Sequence, residues 1–301
     1  SGKYDKALTV CDEAVQIRRT VLGFDHPDLA MSLVEKGIVL LAREAFDDAL
    51  VNFSEALTIR RRAFGSNHPH VANVLNNLGC VHMELGELDH ALDAYMESLD
   101  IQKNVTTEWY EAEYHILTIA ALQCNIGCIM LKRKDYDAAA SIFEEVLLIQ
   151  RSVLGDIHSS IILTLDRLGY ANAMIGDFAK ALQAYDDLLL CQNDSYGEDH
   201  VECTRTIRKL SSLYIKQRDY QNALEMLTML LEKQELCLSP DDPELLRTRK
   251  AVQSVTKKMP KSLEIQYSES VESIYTYETL DDPSNPLACS CRSVGIRAVI
   301  N

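Results

Sequence analysis

Four histidines, His26, His68, His158 and His200, are the first residues to suggest chemistry, since imidazole ligates metals and moves protons near neutral pH. Each stands at the same point of a recurring local sequence. A shared metal ion would need the four to converge, yet such copies fall on successive helical hairpins about 10 Å apart. They are expected to be turn residues. Cys124 and Cys128 are spaced i, i+4 and could begin a zinc site, but no further Cys/His pair follows at ligand spacing. They are expected in the core, where a thiol behaves as a small hydrophobe. Cys289 and Cys291 could bind metal or carry a lipid, though an unstructured end without a role is the simpler expectation. Asn104-Val105-Thr106 and Asn193-Asp194-Ser195 match the glycosylation pattern, which matters only in a secreted protein. No glycine-rich phosphate loop, nucleophile elbow or paired-carboxylate signature appears. The expectation is a chain that is not an enzyme and needs no cofactor or metal.

The elements that must position any site are bounded by composition. The 301 residues carry 30 Lys+Arg against 45 Asp+Glu, a net charge of -15, which speaks against nucleic-acid partners. Apolar residues reach 47%, enough for a packed core, and 12 Gly with 7 Pro point away from sandwiches and low-complexity chains. Nine cysteines without a paired framework favour a reducing, cytoplasmic home. Residues 114–131 hold no Asp, Glu, Lys or Arg, but His115, Gln123 and Asn125 interrupt them. A buried helix is expected there, and no membrane span.

An internal repeat is the strongest signal. Turn-adjacent residues Tyr4, Phe46, Leu88, Tyr136, Phe178 and Tyr220 recur at intervals of 42, 42, 48, 42 and 42. Three residues after each stands Ala7, Ala49, Ala91, Ala139, Ala181 or Ala223; nine before stands Gly37, Gly79, Gly127, Gly169 or Ser211. Small residues on both sides of a short turn let two antiparallel helices approach closely, with the turn-adjacent residue expected to fill the end of the seam. Ahead of the turn the apolar stripe follows i, i+3, i+4, i+7, as in Leu75, Leu78, Gly79 and His82. Behind it, Ala49 with Phe53, Ala91 with Tyr95, Ala139 with Phe143 and Ala181 with Tyr185 keep the i, i+4 rule. Each unit is a helical hairpin that must stack on its neighbours to bury a face.

Leu78-Gly79, Leu168-Gly169 and those Ala/aromatic pairs resemble the tetratricopeptide repeat. That repeat usually has about 34 residues, so its second helix and loop must be longer here. The extension reads Ile17-Arg18-Arg19-Thr20-Val21-Leu22-Gly23-Phe24-Asp25-His26-Pro27-Asp28, with a second copy from Ile59 to His70. This form is similar to the kinesin light chain type of tetratricopeptide protein. Gly23, Gly65, Gly155 and Gly197 are expected to be left-handed helix ends. Asp25, Asn67, Asp199 and Asp241 are expected as acceptors at the following helix start, with Pro27, Pro69 and Pro243 in its first turn.

The fold class is therefore all-α, and the resemblance implies a right-handed superhelical solenoid of antiparallel helix pairs. A half repeat spans 2–27, full repeats span about 28–69, 70–113, 114–159, 160–202 and 203–242, and a capping helix spans 243–258. Residues 259–301, rich in Ser, Thr, Glu and Tyr, are expected to be a disordered tail. In the third repeat, 104–109 replaces the Gly/Asp/His/Pro element with an expected bulged loop, Trp109 tucked against a neighbouring hairpin. The start at a turn reads as N-terminal truncation.

Opposite each apolar stripe lies the face that lines the concave groove in tetratricopeptide stacks. Core spacing places Asn73, Asn76, Asn77, Asn125, Arg167, Tyr170, Arg205, Arg208 and Lys209 there. Amides offer both donor and acceptor to an extended peptide backbone. The fifth leading helix, 203–217, carries four basic residues and no acidic one. The expected function is a non-catalytic adaptor holding an acidic or acidic-aromatic linear motif of a protein partner. The resemblance implies a cargo adaptor of a microtubule motor, joined to kinesin heavy chain through an upstream region and microtubule-associated in the cytoplasm. The alternatives are a regulatory repeat region of a larger signalling or enzymatic protein, and a structural spacer with no ligand.

Overall fold

The helical periodicities close into twelve α-helices in the computed structural model, which describes residues 2–105, 112–198 and 200–259. They are α1 (Gly2–Leu22), α2 (Pro27–Ala42), α3 (Phe46–Phe64), α4 (Pro69–Leu85), α5 (Leu88–Asn104), α6 (Ala112–Lys132), α7 (Tyr136–Leu154), α8 (Ser159–Ile175), α9 (Phe178–Tyr196), α10 (Val201–Lys216), α11 (Tyr220–Cys237) and α12 (Pro243–Thr256). The described residues are all-α, in consecutive helix pairs. They form two compact units: α1 to α6 with the first part of α7, and the rest of α7, from Phe143, to α12. Trp109, the 106–111 insertion, Asp199, Cys289, Cys291 and the tail from 260 lie outside the described residues.

Within the first unit each helix packs on the next, from α1 through α6, and Leu29, Leu33, Phe53, Ile59 and Val74 belong to the core shared by α1 to α4. Helix α6 is long and apolar enough to cross a membrane, but Ala120, Leu122, Cys124, Gly127, Cys128 and Ile129 are buried in its packing. It is a core helix. In the second unit α8 packs on α9, α9 on α10, α10 on α11 and α11 on α12. Leu224, Leu227, Val252 and Val255 close its last layer.

The small residue ahead of each turn works as foreseen, but its partner differs. A Cβ added at Gly37, Gly79 or Gly169 would lie 2.6, 2.5 or 2.6 Å from the ring of Phe53, Tyr95 or Tyr185. So the ring four residues after the alanine fills the notch. The turn-adjacent Phe46, Leu88 and Phe178 are only half-buried, because they sit where the seam opens to solvent. The turn itself holds a second regularity the sequence pattern hid. Glu44, Gly86, Lys134, Gly176 and Arg218 all have positive φ, and the three non-glycines accept a strain of about 1 kcal/mol there.

The Ile-Arg-Arg element has a mechanical role. Its first arginine reaches the next leading helix: Arg18 donates to the Asp28 carbonyl and Arg60 to that of His70, each at 2.7 Å. Its second pairs with the next trailing helix, as Arg19 with Glu55 at 2.6 Å and Arg61 with Glu97 at 2.5 Å. In the second unit Arg151 repeats this with Asp187 at 2.7 Å.

Helix ends correct two expectations. Gly65 and Gly197 have φ of 84° and 86° with ψ of 162° and 154°, an extended mirror conformation rather than a left-handed helical one. Only glycine enters that region readily. The helix-start acceptor is the histidine, and at His26 and His68 it takes the place expected of Asp25 and Asn67. Nδ1 of His26, His68, His158 and His200 accepts the backbone N–H two residues on, at 3.1–3.3 Å. An N-cap must be an acceptor, so each ring caps while Nδ1 is unprotonated. At α4, burial and then the Arg60 charge hold His68 below the usual imidazole range, which preserves the acceptor. The last helix is capped by Asp242, whose carboxylate accepts from Glu244 N–H at 2.8 Å, in place of Asp241.

Candidate functional site

The first unit presents an amide-bearing face on two leading helices. Asn73 on α4 is exposed, and Asn76 and Asn77 are half-buried beside it. Asn125 on α6 is only 5% exposed, and its Nδ2 donates to Asn76 Oδ1 at 3.2 Å. The pair bridges positions 49 residues apart, so two of the sequence-chosen amides do meet across neighbouring repeats. Two turns on, Lys132 Nζ reaches the Met83 carbonyl at 3.3 Å and extends the seam.

The second unit presents a charged face on α8 and α10. Arg167 is 7% exposed, while Tyr170, Arg208 and Lys209 are half-buried and Arg205 is exposed. Lys209 Nζ pairs with Asp166 across the two helices and stands 5.5 Å from the centre of the Tyr185 ring. The ammonium is thus fixed by a carboxylate and an aromatic face together. Burial first, then the Asp166 charge, drives the Tyr185 hydroxyl well above its ordinary range, so it stays neutral.

The positive field foreseen for α10 is largely answered from within. Glu202 lies in its first turn and pairs with Arg205 at 2.5 Å; Arg208 pairs with Glu244 of α12. Sequence reasoning started that helix two residues late and so excluded Glu202. Glu244 and Asp166 come from other repeats, a contact that no local pattern reveals. An acidic ligand on this face must therefore exchange with internal carboxylates.

These packed hairpins are matched by the family model described as tetratricopeptide repeat, over residues 1–61, 31–104 and 118–189. The chain belongs to the tetratricopeptide repeat family. Its fold is similar to that of BtubC (BKLC) from P. vanneervenii, at 15% identity and a TM-score of 0.63, over 79% of this chain and 94% of that one. It is also similar to a putative kinesin light chain of Podospora anserina with nearly identical repeats, at 18% identity and a TM-score of 0.59, over 71% and 99%. The apo form of RapI shares the fold at 13% identity and a TM-score of 0.63, over 84% and 72%. No curated protein sequence matches the chain.

Within this tetratricopeptide repeat chain, one further cluster escaped the sequence reading. His82, assigned to the apolar stripe, turns its Nδ1 to Glu87 Oε2 at 2.6 Å, and His90 approaches the same oxygen at 3.5 Å. The three residues straddle one turn of one repeat and so share no repeat position.

Proposed function

We propose that this tetratricopeptide repeat protein is a non-catalytic scaffold that holds extended segments of partner proteins on the faces of its leading helices. The observation that carries this is the cross-repeat pairing of Asn76 with Asn125 and of Lys209 with Asp166. In each unit, polar groups chosen only by their distance from the core stripe lie side by side on successive leading helices. Amides suit the backbone of an extended chain, which offers one donor and one acceptor per residue. The cations of α10, Arg205 and Lys209, suit acidic side chains, and the Tyr170 ring of α8 suits an aromatic one. Stacked repeats supply such extended binding surfaces generally.

The finer reading is a cargo adaptor of the kinesin light chain type, cytoplasmic and microtubule-associated, with a motor chain among its partners. The Ile-Arg-Arg element and the 42-residue spacing support it. Fluorescence anisotropy with labelled acidic-aromatic peptides tests the scaffold. An Arg205→Glu/Arg208→Glu double variant is expected to weaken binding by about 100-fold, two lost charge contacts at roughly tenfold each. Equal affinity for both proteins contradicts the assignment of the acidic segment to α10.

A further inference from the structure

Where α4 meets α5, His82, Glu87 and His90 place one imidazole or carboxylate ligand atom each within 4.8 Å of one another. We propose that this trio is a binding site for a divalent zinc-class ion. Two imidazoles with one carboxylate form a ligand set that zinc uses, with metal–ligand bonds of about 2.0–2.2 Å. Tetrahedral ligation at those lengths separates ligand atoms by about 3.4 Å. The Glu87–His90 distance of 3.5 Å already has that value. The Glu87–His82 distance of 2.6 Å is a hydrogen bond and opens by less than about 1 Å to admit the ion.

Both Nδ1 atoms face the same oxygen, Oε2 of Glu87. A cation at that point of convergence displaces the Nδ1 protons that now face Oε2: each ring ligates as a neutral imidazole through Nδ1 with its one proton on Nε2, and any second ring proton is released to solvent. The backbone supports the arrangement. Gly86, in the left-handed conformation at φ 77° and ψ 9°, ends α4 and turns the chain so that residues 82 and 90 come together. The ring centres lie 5.3 Å apart. His82 is the anchored ligand, with 17% of its side chain exposed, whereas His90 and Glu87 are open at 70% and 45%.

Electrostatics do not oppose the ion. The C-terminal end of α4 and the N-terminal end of α5 bring partial charges of opposite sign that largely cancel. Arg133 lines the same shallow depression, but Asp89 pairs with it and removes its charge from the site. Three protein ligands leave a fourth position facing solvent, for water or for a carboxylate or imidazole of a bound partner.

Titration of the intact, reduced chain with Zn²⁺ by calorimetry tests the proposal. One equivalent is expected to bind with about micromolar affinity. His90→Ala and Glu87→Gln, both at exposed side chains, are each expected to weaken that event by at least about tenfold. Unchanged circular dichroism shows that both variants still fold. Cobalt(II) distinguishes this trio from the cysteines: nitrogen and oxygen ligands give visible ligand-field bands without thiolate charge transfer. Three results would overturn the site: no saturable event, equal affinity in both variants, or thiolate charge transfer in the one-equivalent complex.

Discussion

Truncating Tyr95 to alanine is expected to lower the stability of the first unit by about 3–5 kcal/mol, the cost of a fully buried aromatic ring. Tyr95 is 0% exposed, and its ring fills the space left by Gly79. The same contact makes Gly79→Ala damaging in the wild-type background. Helix propensity alone would favour alanine there by about 1 kcal/mol. A methyl group 2.5 Å from a ring carbon leaves the ring nowhere to go, and overpacking of that kind costs about 1–3 kcal/mol. Once the ring is gone, Gly79→Ala is expected to become neutral or stabilising. Urea unfolding of the two single variants and the double variant gives the coupling, expected at about 1–3 kcal/mol. Strict additivity would show that the ring and the glycine do not share one space. The fifth repeat is a natural version of this exchange, with Ser211 and Leu227 at the equivalent positions, both buried.

The second large effect concerns ligand affinity, and its sign is diagnostic. Asp166→Asn is expected to tighten binding of acidic-aromatic peptides by about tenfold, equivalent to roughly 1.4 kcal/mol. Lys209 and Asp166 have side chains 22% and 25% exposed, so their pair is partly shielded from solvent. Shielding makes the internal carboxylate a real competitor for the ammonium, which a screened surface pair would not be. The amide keeps the shape of the carboxylate and removes its charge, so Lys209 turns to the ligand. Lys209→Glu sets two carboxylates against each other and is expected to weaken both peptide binding and the second unit. A peptide that binds Asp166→Asn and wild type alike does not touch Lys209.

The hairpin architecture was legible because small and apolar residues recur with a period set by backbone geometry. Ala49, Ala91 and Ala181 are all 0% exposed, and Gly79 and Gly169 meet rings as close helix packing requires. What stayed hidden was chemistry that repeats without a familiar residue type. Histidine is an uncommon N-cap, so Asp25 and Asn67 drew attention away from His26 and His68, whose Nδ1 atoms perform the capping. The binding faces were legible as positions but not as charges. A helix face can be counted from its stripe, whereas Glu244 beside Arg208 and Asp166 beside Lys209 depend on how repeats stack. The His82, Glu87 and His90 trio was hidden for a third reason. Its members occupy a helix end, a turn and a helix start, where no single periodicity applies.

If partner segments lie on leading-helix faces, position-specific crosslinking will find them there. A photoreactive residue replaces Asn77 of α4 or Arg205 of α10 in one pair of variants, and Val51 of α3 or Leu190 of α9 in the other. Val51 and Leu190 are 65% and 64% exposed, so access is not the limiting factor at the trailing-helix sites. With a bound acidic-aromatic peptide, crosslinks are expected from 77 or 205 and none from 51 or 190. Crosslinks that arise from 51 or 190 while 77 and 205 stay silent would place the partner on the trailing helices instead.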